Sequence, residues 1–392
     1  MSAHVERVRS RPILRRPRCA RATFTAFVTV IVFVSATTLA AAAPAAPAPG
    51  AWKTIPGVRA DFGQGTPAVG WASGRAWMAL TGAGGNGMSV TSARVAGRGL
   101  RDFETTRLNG GLSVRLLAGS ELVYSISETN ADSLVARQLL PTGRLGPPSV
   151  PLDPKAIAPN QDLFAQAALR AGGRTIWALP GGSRTGSVLW VCCAADGSGQ
   201  NLTRFVNRQS SAARPVHLGL DGRGRLWLAW HDASGVKIVE LDPASLVPRT
   251  ATAIRAPGRV VERFHMVCAA TCRLVIESFR VGILSWAPGE SSTTMIAKAR
   301  NVFGDSRAPR LLAAAYRSGK LAVAYIPEDA PYGVRVVRGD ARGAQARRVG
   351  RLRKSLEGVS TQAAFGPAGL VAVTPVNAFA LSAVRIGLIR IP

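Results

Sequence analysis

The sequence predicts an all-β protein, a β-propeller of seven four-stranded blades, and three observations carry that prediction. Gly (41) and Pro (25) are frequent, Val, Leu, Ile and Trp fall in short runs, and no long amphipathic helical pattern interrupts them. One unit of about 49 residues recurs seven times, the size of a four-stranded blade. Its clearest copy is residues 221–242, DGRGRLWLAWHDASGVKIVELD: a tight Gly turn, an apolar strand, a polar turn and a second strand.

Taken in order, the chain opens with a basic segment. Arg7, Arg9, Arg11, Arg15, Arg16, Arg18 and Arg21 precede an apolar run, residues 23–43, that ends in small residues. Basic, then apolar, then small is the pattern of a secretory signal, with an A-x-A-like cleavage site at 40–42. The apolar run is also long enough to span a bilayer, so an uncleaved membrane anchor stays open. Either way the positive flank stays inside and the body is expected outside the cytoplasm, secreted or extracytoplasmic. Residues 1–43 are thus a signal peptide or anchor, 44–51 a Pro/Ala linker, and 52–392 the propeller.

The repeats are anchored on Gly74, Gly119, Gly173, Gly224, Cys272 (in the Gly place), Gly319 and Gly369, at spacings of 45, 54, 51, 48, 47 and 50 residues. Each anchor sits in a turn between two apolar stretches. PVHLGL, RFHMVC and RLLAAAY read as innermost strands, and the anchor opens the second strand. VKIVEL, SVLWVCC and VRVVR read as third strands, and NLTRFV and PRTATAI as less apolar outer strands. LWLAW is apolar at consecutive positions because such a strand is covered on both faces. At the end of the chain, strands are expected near 361–366, 369–374 and 378–386. WKTIPGV (52–58) would supply the outer strand that closes the last blade, with LIRIP (388–392) as the competing choice.

At Asp221, Gly222, Arg223, Gly224, Arg225, Leu226 and Trp227 the chain resembles the D-x-x-G-x-L-W repeat of streptogramin-lyase-like and sensor-regulator propellers. The resemblance implies that the aspartate bonds turn amides, that Gly takes a conformation other residues resist, and that Trp packs between blades. Units one and three keep the Gly and Trp (Gly74/Trp77, Gly173/Trp177) without the Asp. The resemblance implies a fold and carries over no catalytic residue.

The four cysteines of the body are Cys192, Cys193, Cys268 and Cys272. Three residues separate Cys268 from Cys272, so a hairpin turn brings them within disulfide range. Of the three pairings open to four cysteines, 192–193 with 268–272 is the favoured one. No His pair lies near enough to complete a metal site, and no cofactor-binding motif, G-x-S-x-G, H-E-x-x-H or P-loop is present. His217 and His265 fall in apolar inner strands and read as core histidines. His231 and Asp232 open a turn between second and third strands. That turn belongs to the loop face of a propeller, with Glu128, Asp132, Asp162, Arg184, Asp305, Glu328 and Asp329, and makes them the catalytic candidates.

The formal charge is +27, and beyond residue 43 there are still 42 cations against 21 acids. Such a body is drawn to anionic polymers or a cell-envelope surface. The densest run is Arg338, Arg342, Arg347, Arg348, Arg351, Arg353 and Lys354, expected on the outer strand of the sixth unit. There it either guards an exposed edge or docks an anionic polymer. It lacks the interleaved aromatics of a single-stranded nucleic-acid platform, so no specific nucleic acid is indicated. The expected function is an exported, non-enzymatic binding or scaffold module. The alternative is a hydrolase or lyase acting on a carbohydrate or other polar substrate through the loop face.

Overall fold

The structure is a computed structural model. It describes residues 52–60, 68–81, 87–97, 99–109, 114–117, 121–128, 131–149, 162–163, 167–171, 174–183, 186–193, 203–207, 215–232, 235–250, 254–255, 261–299, 309–328, 333–352, 361–376 and 382–391. All regular structure among them is β. The expected signal or anchor segment and the linker lie outside the described residues. Among the described residues no helix is long and apolar enough to cross a membrane.

Among the described residues the strands form seven antiparallel sheets, six of them running inner to outer in chain order. The fourth is Val216–Leu220, Leu226–Asp232, Gly235–Leu241 and Ile254–Arg255. The fifth is Val261–Cys268, Cys272–Ser278, Gly282–Trp286 and Thr294–Lys298. The sixth is Arg310–Arg317, Lys320–Ile326, Val334–Arg338 and Arg347–Leu352. The third has an interrupted inner strand, since Asp162–Leu163 and Ala167–Ala171 both pair with Arg174–Ser183. The seventh takes its outer strand from the other end of the chain: Trp52–Ala60 pairs antiparallel with Ser382–Ile389. The closing strand is therefore 52–60, and residues 388 and 389 belong to the third strand of that sheet.

The inner strands adjoin one another in a ring, each touching the next and Gln362–Gly366 touching Ala68–Ala72. The fold is a β-propeller, and its core is a series of layers between neighbouring sheets. Trp227, Ala229 and Ile238 of the fourth sheet pack on Phe264, Leu274 and Ile276 of the fifth. Met78 and Leu80 of the first pack on Val371 and Ile386 of the seventh, with Ile55 and Val58 from the closing strand. The Trp71 indole N–H reaches across the same seam to the Ala364 carbonyl at 3.2 Å. This layering explains the apolar runs. Second strands such as Cys272–Ser278 and Gly369–Pro375 are buried at every position, whereas the inner strands are only partly buried.

Antiparallel succession gives the ring two faces. Turns after the first and third strands, including the anchors, lie on one. Turns after the second strand, and the passages from outer to inner strand, lie on the other, the loop face.

Candidate functional site

The 221–225 turn is structural. Asp221 Oδ1 accepts the backbone N–H groups of Arg223 (2.9 Å) and Arg225 (3.0 Å). Its Oδ2 accepts Arg225 Nε (2.8 Å) and the Trp227 indole N–H (3.2 Å). Burial by itself raises this carboxyl's pKa, but the donors outweigh it and hold the group below the usual carboxylate range. Gly224 has φ 74°, the left-handed region that Gly enters without a Cβ clash. The Arg225 guanidinium lies 5.3 Å from the Trp227 ring centre. Nothing in Asp221 is left to offer a ligand.

The turn is seated on the disulfide hairpin of the next sheet. Cys268 and Cys272 are bonded, with Cα atoms 3.9 Å apart, and face each other across the two strands. Gly222 N donates to the Ala269 carbonyl at 2.5 Å. Gly219 is backed so closely that a Cβ there would stand 2.3 Å from Cys268 Sγ. The strand Gly186–Cys193 carries the other pair, whose side chains lie outside what is described.

One repeated feature escaped the sequence reading. The residue after the anchor is Arg in units one, three, four and five and Lys in unit six (Arg75, Arg174, Arg225, Arg273, Lys320). Arg75 and Arg273 are buried. Arg75 Nε donates to Ser92 Oγ, which donates to the Gly143 carbonyl of the next sheet. Arg273 repeats this with Ser285 and the Arg342 carbonyl, and forms a bidentate pair with Glu290. Part of the protein's basicity is thus packed between sheets rather than offered to partners.

The two inner-strand histidines are also repeats of one another. His217 Nε2 is 3.1 Å from the Phe264 carbonyl of the fifth sheet, and His265 bonds the backbone at Leu312 of the sixth. Their ring centres are 5.5 Å apart. Burial first, then the charges of His217 and Arg263, push His265 down to about 3, so it is a neutral group of the wall.

The chemically unusual group is Glu277, at the loop-face end of the fifth sheet's second strand. It is 2% exposed and directly follows the apolar residues Leu274, Val275 and Ile276. Its Oε2 accepts the Leu311 N–H of the sixth sheet at 2.7 Å. Burial pushes its pKa up, to about 7; the Leu311 N–H and the Arg263 charge oppose that, while the Glu262 carboxyl, bonded to it, reinforces it. Arg263 is its direct cross-strand partner. Arg310 begins the neighbouring inner strand; burial and the Arg263 charge press it down to about 10, with Glu277 opposing. Two carboxyls and two guanidiniums therefore gather where two sheets meet.

Beside them is a cavity of about 180 Å³ lined by Ala297, Lys298, Pro309, Tyr325, Pro327, Glu328 and Arg335. Strand register links it to Glu277. Leu311, whose N–H the carboxylate holds, pairs with Tyr325, and Tyr325 pairs with Arg335. Among the described residues, Glu328 is the loop-face candidate that the structure brings to this junction. His231 and Asp232 end the second strand of the fourth sheet, paired with Val236 and Gly235. Asp305, Asp329 and Arg184 lie outside the described residues, as do the side chains of Glu128, Asp132 and Asp162. Among the described residues no cluster of His, Cys, Asp and Glu could hold a metal ion.

The basic run does not sit on one strand. Arg338 ends the third strand of the sixth sheet and donates to the Arg317 carbonyl at 3.1 Å. Arg342 is in the turn and lies 3.5 Å from Glu290 of the fifth sheet. Arg347, Arg348 and Arg351 are on the outer strand, the first two exposed. Arg353 and Lys354 are outside the described residues. The expectation of a single outer-strand strip is corrected because the turn at 339–346 divides the run.

Fold and site together define a β-propeller with a charged junction on its loop face. No family model and no curated protein matches the sequence. Among solved structures the chain is similar to the polysaccharide lyase Uly1, a propeller-like structure (TM-score 0.53, 7% identity, 87% of this chain and 94% of that one). It also matches the Pseudomonas aeruginosa periplasmic gluconolactonase PpgL (TM-score 0.46, 14% identity, 74% and 86%) and the Dos1 propeller (TM-score 0.46, 9% identity, 80% and 74%). At these identities the likeness concerns the fold.

Proposed function

We propose that this protein is an exported, non-enzymatic binding propeller that holds an acidic polysaccharide of the cell envelope on its loop face, where the fifth and sixth sheets meet. The observation that carries this reading is the set of cations around one cavity, Lys298 and Arg335 in its lining, with Arg310 following Pro309 in the chain. The excess of cations over the whole body supports it, because a basic surface draws in a polyanion before any specific contact forms. The disulfide fits an oxidising compartment. The test is retention on immobilised polygalacturonate against neutral dextran across a salt series, with hydrogen exchange mapping the contact. Retention on polygalacturonate alone, weakening with salt and protecting 262–282 and 309–335, is expected. Equal retention on dextran, or protection confined to 347–352, would sink the reading.

A second reading, a carbohydrate hydrolase or lyase, is favoured by Glu277 in particular. A carboxyl that keeps its proton near neutrality, bonded to a second carboxyl, is the pairing acid–base chemistry uses. Release of reducing ends or unsaturated sugars, abolished by Glu277→Gln while retention persists, would establish it. Loss on His231→Ala and Asp232→Asn instead would move the chemistry to the fourth sheet.

A further inference from the structure

The cavity at the junction is small, lined by cations from two sheets and flanked by an exposed apolar tip, and these features narrow the ligand. We propose that it seats one sugar-acid unit, a hydroxylated ring bearing a single carboxylate; the proposal rests on the binding function above.

Size sets the first limit. A volume of about 180 Å³ is the room of roughly six waters, enough for one six-membered ring with its substituents. Charge sets the second. Lys298 reaches the cavity from the outer strand of the fifth sheet and Arg335 from the third strand of the sixth, so an anion between them is met from two sides. Among the described residues Glu328 is the one acid of the lining. A monoanionic carboxylate turned to the cations leaves Glu328 a ligand hydroxyl to accept from, whereas a phosphate dianion would set a second negative charge against it.

The walls set the third limit. Tyr325 is 7% exposed, so its ring is a fixed surface, and Pro309 and Pro327 have no N–H to donate. These three residues suit a C–H face of a ring. On the fifth-sheet side the turn Phe279–Val281 abuts the same strand end. Ala299 N donates to the Val281 carbonyl at 2.9 Å, and Gly282 pairs with Lys298. Phe279 (41%) and Val281 (39%) are exposed there, and the Arg280 guanidinium lies 5.1 Å from the Phe279 ring centre. An aromatic and an aliphatic side chain held in water beside a cationic cavity suit a next unit of the same chain leaving the cavity with an apolar ring face toward them.

The experiment is calorimetric titration of the exported protein with sodium D-glucuronate, D-glucose and inorganic phosphate. Glucuronate is expected to bind saturably, with glucose and phosphate at least tenfold weaker. Lys298→Glu and Arg335→Gln should each weaken glucuronate at least tenfold, while Arg347→Glu/Arg348→Glu leaves it unchanged. Circular dichroism melting of each variant verifies that it is folded, and Lys298 is exposed enough for its variant to serve alone. Absence of saturable glucuronate binding, equal binding of phosphate or glucose, or indifference to both cavity variants would overturn the sugar-acid assignment. If polygalacturonate is still retained and protects the junction, that assignment fails and the binding function stands. If retention is lost as well, both fail.

Discussion

Two carboxylates of this protein make an instructive pair. Asp221 on the anchor-turn face and Glu277 on the loop face are both buried and both lie near arginines, yet their proton affinities are displaced in opposite directions. Asp221 has four short donor contacts from its own turn, all supplied within six residues. Glu277 has one backbone donor, borrowed from the next sheet, and shares its surroundings with Glu262. Burial penalises charge at both sites; the number of donors decides whether the charge survives. The first site is finished as structure. The second is left with capacity for chemistry or for a partner.

The largest way to break the contrast is Asp221→Ala. It removes four hydrogen bonds and leaves the Trp227 indole and two backbone amides, those of Arg223 and Arg225, without their acceptor, so destabilisation of about 3–5 kcal/mol is expected in urea unfolding. A loss under about 1 kcal/mol would mean the turn holds without its aspartate. Glu277→Gln should be smaller and pH-dependent. A folded-state pKa raised from 4.5 to about 7 gives stability present below about 4.5 and lost as pH climbs through 7. Gln can still accept the Leu311 N–H and has no charge to bury. The variant should therefore gain on the native protein by up to about 3 kcal/mol between pH 4.5 and 8. A constant difference in melting temperature across that range would show that Glu277 does not hold a proton.

Replacing Cys268 and Cys272 by Ser should cost about 2 kcal/mol, the chain-entropy value for so short a loop. Because Gly219 and Gly222 lean on that hairpin, hydrogen exchange at 219–225 should rise with it. Protection unchanged there would separate the Asp221 turn from its seat. At neutral pH the smallest effect is expected from His265→Gln. A histidine held neutral loses stability as pH falls from about 6.5 toward 3. The variant should flatten the acid limb of the melting profile by a few degrees and leave pH 8 untouched. A change at pH 8 equal to that at pH 4 would assign His265 to packing alone.

The difference between the two carboxylates also marks how far the sequence could be read. Asp221, Gly224 and Trp227 lie within seven residues, so their cooperation leaves a local motif, and the turn, the strand LWLAW and the packing of Trp227 were all legible. So was the Cys268–Cys272 pair, which needs only a hairpin. Glu262, Glu277, Arg310 and Lys298 come from four strands of two sheets and leave no spacing to recognise. The one available signal was Glu277 itself, an acid directly after the apolar residues Leu274, Val275 and Ile276. The buried arginines at Arg75 and Arg273 were visible as a cation following the anchor, but their role depends on a serine of the third strand and a carbonyl of the next sheet. His231 and Asp232 drew notice because their turn belongs to the loop face, and belonging to that face carries no information about which sheets meet there.

What the sequence determined alone was the repeat and what is confined to it: strand succession, anchor turns and the Cys268–Cys272 disulfide. Those follow from periodicity and turn chemistry, which act over a few residues. The tertiary structure decided which charged groups are absorbed between sheets and which converge on the loop face. That depends on the register between neighbouring sheets, where burial and donor count are set by residues tens of positions away.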